Sequence, residues 1–60
     1  MTNLAGRIEE LEMMAVESTL IADLTTDGEV RAYNARLAEE LREAVVRLRR
    51  RQQAAANDNR

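Results

Sequence analysis

The chain has no cysteine, no histidine, no lysine and no proline, and Tyr33 is its one aromatic residue among 60. Each absence excludes something. Without cysteine no disulfide can staple a chain this short. Without histidine or cysteine a structural zinc would have only carboxylates as ligands, which zinc sites do not favour. The same gaps leave no nucleophile–base pair. No glycine-rich phosphate loop occurs either, so the chain is not expected to be an enzyme or to hold a cofactor or metal. Two glycines and no proline leave long stretches with nothing to break a helix. No uncharged run approaches the length needed to span a bilayer. No basic stretch followed by an apolar core opens the chain, so no secretory signal is expected. The lack of cysteine fits a reducing, cytoplasmic setting.

What remains is Ala, Glu, Leu and Arg, with 45% hydrophobic and 33% charged residues. That mixture, arranged with helical periodicity, predicts long helices or coiled coil. Two heptad-spaced rows carry the pattern. The first is Leu4, Ile8, Leu11, Ala15, Ser18, Ala22; the second is Val30, Asn34, Leu37, Leu41, Ala44, Leu48. Alternating steps of four and three keep each row on one helix face. Folded back on itself, the chain pairs the rows so that every pair of residue numbers adds to 52. Large faces small along the seam, as in Ile8 with Ala44 and Ala15 with Leu37, with Ala38 alongside. The polar interruptions Ser18 and Asn34 fall opposite each other. They form a register layer that disfavours shifted pairings at some cost in stability.

The expected fold is therefore all-α, an antiparallel two-helix hairpin over residues 1–52. Helix one spans about 3–24, the turn about 25–26 and helix two about 27–52. Residues 53–60 follow as a polar tail expected to fray. Thr2 or Asn3 can cap the first helix, and Gly6 weakens its first turns. Thr26 with Glu29 three residues later reads as a capping box for the second. A hairpin of this length buries one narrow seam. Dimerisation into a four-helix bundle is the expected source of further stability.

The seam leaves apolar residues over. Met13, Val16, Leu20 and Leu24 lie off it on helix one, Met14 and Ile21 flank it, and Tyr33 and Val45 lie beside the second row. A helix apolar around most of its circumference is buried on more than one side. The candidate partner-binding residues are Met13, Val16, Leu20, Leu24 and Tyr33. Two occupants fit them: a second copy of the chain, or a different protein for which this chain acts as regulator, inhibitor or assembly subunit. A third role is structural subunit of a larger assembly such as that of a phage, since Arg without Lys and abundant Ala point to a GC-rich bacterial or phage source.

Charge is unevenly placed. Residues 1–30 carry seven acids and one base, a net of −6, while residues 31–60 carry eight Arg and four acids, a net of +4. Arg42, Arg47, Arg49, Arg50 and Arg51 form a cluster that could meet phosphates. An overall net charge of −2 and the absence of interleaved aromatics weigh against a dedicated nucleic-acid binder. Arginines near a helix C-terminus also favour the helix dipole without any ligand. Glu9, Glu10 and Glu12, and Glu39, Glu40 and Glu43, read as solvated faces. The heptad pattern resembles that of the small antiparallel bundle proteins of the Rop type. Those are two-helix hairpins of similar length that dimerise and bind RNA through a helical face. The likeness lies in the pattern, carries no site residue, and implies a nucleic-acid-binding regulator as the alternative function.

Overall fold

A computed structural model describes residues 3–58. They form two helices, α1 (Leu4–Leu24) and α2 (Gly28–Asp58), packed against each other as a helical hairpin. Its principal extents are 52 × 19 × 14 Å.

Side chains define the helix ends. Asn3 caps α1: its Oδ1 accepts from the Gly6 amide at 2.6 Å, which ties down the turn that glycine weakens. Thr2, the other expected cap, lies outside the described residues. The α1 helix ends as Thr25 turns extended, its amide still donating to the Ile21 carbonyl at 3.0 Å. Two bonds then fold the link back. The Thr25 hydroxyl accepts from the Asp27 amide at 3.1 Å, and Arg31 Nη2 donates to the Thr25 carbonyl at 2.9 Å. Asp27 caps α2, its Oδ1 accepting from the amides of Glu29 at 2.9 Å and Val30 at 3.2 Å.

This differs from the expected Thr26–Glu29 capping box, while the start of α2 at Gly28 lies within a residue of the expected start near 27. A carboxylate is at least as good a cap as a hydroxyl, and it adds negative charge at the positive end of the dipole. The competition one residue apart goes to Asp27. No glycine among the described residues has a positive φ, and Gly28 sits in the first helical turn.

The α1 seam is as the heptad row predicts: Ile8, Leu11, Ala15, Ser18 and Ala22 are buried. The α2 seam is rotated from its predicted row. Asn34 and Leu41 are buried, but so are Ala38, at 1% exposure, and Val45, at 7%. Leu37, Ala44 and Leu48 are only half-buried, and Val30 is 39% exposed. Val45, read from the sequence as lying beside the row, belongs to the core cluster with Ile8, Leu11, Ala15 and Leu41. The apolar doublets Leu37–Ala38 and Ala44–Val45 allow either phase. The observed one places Ala38, with no side chain beyond Cβ, deepest in the interface, where a small residue permits close helix approach.

Asn34 and Ser18 are both buried in the seam. The Asn34 Nδ2 donates to the Val30 carbonyl at 2.9 Å, so this bond closes within α2 and not across the layer. The helix runs to Asp58, six residues past its expected end at 52. Ala54, Ala55 and Ala56 are strong helix formers, and no glycine or proline stops the helix there. Every residue from 49 to 57 is exposed. The last two residues of the expected tail, 59 and 60, lie outside the described region.

Candidate interaction face

Helix α1 has a second apolar face. Met13, Val16, Leu20 and Leu24 step by three, four and four, which carries them along the side turned away from the seam. They are 67%, 60%, 53% and 79% exposed. Glu9, Glu12 and Glu17 border its N-terminal half, where with Met13 and Val16 they line a shallow depression. A second groove runs between the helices and is lined by Glu12, Ala15, Val16, Arg42, Val45 and Val46. Val16 belongs to both, so the outer face of α1 continues over one edge of the hairpin onto α2. Val46, 47% exposed, joins this surface through the rotation of α2, a placement that the sequence pattern does not signal.

Tyr33 does not continue the α1 stripe. It projects from α2, 65% exposed, on the side where Met14 and Ile21 flank the α1 seam. Helical phase fixes that placement. Glu12 and Thr19 follow the seam residues Leu11 and Ser18 by one, and Arg42 and Arg49 follow Leu41 and Leu48 by one. These four meet across the hairpin on one side. Met14, Ile21 and Tyr33 precede Ala15, Ala22 and Asn34 by one and therefore lie on the other.

The arginine cluster divides in two. Arg42 Nη2 donates to the Thr19 hydroxyl at 2.7 Å, and that hydroxyl donates in turn to the Ala15 carbonyl at 2.9 Å. Arg49 is bonded to the Glu12 carboxylate. These two arginines stitch α2 to α1. Arg47, Arg50 and Arg51 are exposed and make no ion pair; among the described residues the salt bridges are Arg7–Glu10 and Arg49–Glu12. The five candidates for phosphate contact are thus two bridging groups and three solvated ones. Glu39, Glu40 and Glu43 are exposed along α2. No helix among the described residues is long and apolar enough to cross a membrane.

No protein-family model, curated protein or solved structure matches this chain.

Proposed function

We propose that this chain is a small, non-enzymatic interaction module of the cytoplasm, acting as regulator, inhibitor or assembly subunit by docking the outer face of α1 on a partner protein. The observation that carries the reading is the exposure of Met13, Val16, Leu20 and Leu24 on one continuous face. Single exposed apolar residues are ordinary, but a contiguous stripe marks an interface. Covering a Leu or Met side chain is worth roughly 1.5–3 kcal/mol, so four such residues represent a substantial reserve of binding energy. The stripe covers about three helical turns, the reach of one partner helix laid into it. Glu9 and Glu17 beside it favour a partner helix with basic flanks, Glu12 being paired with Arg49. Met13 adds a side chain that adapts to irregular surfaces.

The test is affinity purification from the native host with the unaltered chain and with Leu20→Glu, compared by mass spectrometry. Leu20 is 53% exposed and outside the core, so the variant is expected to stay helical by circular dichroism and to lose the specific partner. A full set of partners retained by a folded Leu20→Glu chain refutes the docking face. The nucleic-acid alternative has three solvated arginines left to it, Arg47, Arg50 and Arg51. Its test is a gel shift titrated from about 50 to 200 mM salt, over which phosphate-driven binding falls steeply.

A further inference from the structure

The C-terminal part of α2 runs past the end of the seam. Leu4, where α1 begins, and Leu48 both pack against the core cluster. Beyond Leu48 the helix continues as Arg49–Asp58, ten residues and about 15 Å long. Every residue from 49 to 57 is exposed. From Arg47 to Asn57 the helix holds four arginines, two glutamines and no acid. Arg49 is bonded to Glu12, while Arg47, Arg50 and Arg51 are solvated. We propose that this projecting helix enters the major groove of B-form DNA, with Arg47, Arg50 and Arg51 on phosphates. This stands apart from the partner-docking reading, which uses the outer face of α1.

The occupant follows from charge, side-chain type and shape. Steps of three and four put Arg47, Arg50, Arg51 and Ala54 on one side of the helix. With Leu41, Val45 and Leu48 turned to the seam, that side points away from α1. The exposed acids Glu39, Glu40 and Glu43 precede it on α2. The sign of the charge therefore changes where the projection begins, and phosphates are drawn to the projection and repelled from the hairpin body. A partner protein needs apolar anchors. Beyond Leu48 no apolar side chain larger than that of alanine occurs. The same lack disfavours burial in a membrane surface. Single strands are held by stacking on aromatic side chains, and the projection has none.

A duplex groove needs no aromatic residue. The major groove of B-form DNA is about 12 Å wide and admits an α-helix, whereas the A-form groove of duplex RNA is too narrow for side chains to read. Ala54 lies between the arginines and has no bulk to hold the helix off the groove floor. Gln53 follows Arg50 by three and gives that edge a side chain able to bond base edges. Three phosphate contacts set the salt dependence. The slope of log affinity against log salt is about −2.7, which is a fall of about 40-fold between 50 and 200 mM.

The test is fluorescence anisotropy of a labelled DNA duplex of about 20 base pairs, titrated with the full chain at several salt concentrations. Binding is expected with a Kd of roughly 1–100 μM near physiological salt and with the slope above. Arg47→Gln, Arg50→Gln and Arg51→Gln combined are expected to abolish it while circular dichroism shows the hairpin intact, since all three residues are exposed. Arg36→Gln, at an exposed arginine within the length of the seam, is expected to leave affinity unchanged within twofold. Ala55→Pro unwinds the projection without altering its charge, and is expected to weaken binding at least fivefold. Duplex RNA and polyglutamate are expected to bind at least tenfold more weakly than the DNA. No binding at 50 mM salt, a slope near zero, or binding retained by the triple variant overturns the proposal. So does a DNA affinity indifferent to Ala55→Pro, or equal affinity for duplex RNA or polyglutamate.

Discussion

Val45 and Val46 are adjacent, identical in side chain, and placed in opposite surroundings: 7% exposed against 47%. Truncating each to alanine isolates burial, because helix-propensity changes are the same at both sites. Each truncation removes two methyl-sized groups, about 0.8 kcal/mol apiece when fully buried. At Val45 that is about 1.6 kcal/mol, with a further contribution from the cavity left against Ile8, Leu11, Ala15 and Leu41. Alanine's higher helix propensity returns up to about 0.5 kcal/mol. The net destabilisation for Val45→Ala is about 1–2 kcal/mol. At Val46 roughly half the burial is at stake, and the propensity gain nearly offsets it, leaving a few tenths. In a chain of this size 1 kcal/mol moves the melting temperature by about 4–8 °C. Val45→Ala should therefore melt about 5–10 °C below Val46→Ala. Circular-dichroism melts at matched protein concentration make the comparison, because self-association would make the midpoint depend on concentration. Equal midpoints would refute the rotated seam and restore the row in which both valines lie outside it.

Asn34→Leu should raise the melting temperature, since Asn34 is 8% exposed and its amide bond closes within its own helix. It should also loosen the oligomeric state by removing a polar register marker; a lower midpoint with unchanged oligomer size would count against this. Asp27→Ala should cost about 0.5–2 kcal/mol by urea titration, because Glu29 and Val30 lose their cap, while Thr26→Ala should cost little; the reverse order would return the cap to Thr26. Gly28→Ala should stabilise by about 0.4–1 kcal/mol, as its conformation is not left-handed and nothing lies within 4 Å of an added Cβ. Arg49→Ala should change stability by at most about 1 kcal/mol, its pair with Glu12 being 58% and 41% exposed; a larger loss would show that this bridge fixes the rotation of α2.

The hairpin was legible because the heptad row of α1 is interrupted only by small residues and the link carries several polar cap formers in a row. At Leu11 and Ser18 the residues on either side are polar, which pins the seam phase of α1 although Met14, Val16 and Ile21 beside Ala15 and Ala22 are apolar. At Leu37–Ala38 and Ala44–Val45 the pattern admits two, and only packing chooses between them. The choice turns on how closely the helices approach, a property of both chains of side chains together and of neither alone. The cap at Asp27 was obscured for a similar reason: Thr25, Thr26 and Asp27 can each cap a helix, and their backbone conformations decide. The outer stripe on α1 could be read because exposure there follows from position relative to one well-defined seam. On the side around Tyr33 the half-exposure of Leu37 and Ala44 could not be read, because it follows from the rotation of α2. The division of the arginines into bridging and solvated groups likewise depends on that rotation, which brings Arg42 and Arg49 over Thr19 and Glu12.

Although α2 is one continuous helix, it should behave as two thermodynamic segments. Up to Leu48 its amides are held by packing against α1. Beyond that every described side chain through residue 57 is exposed, and an isolated helical stretch of that length is marginal in water. Amide hydrogens in the first segment should exchange only through opening of the whole hairpin, whereas those in the second should exchange through local unwinding from the C-terminal end. The boundary in an exchange map would fall near Leu48, with no break in the backbone to mark it.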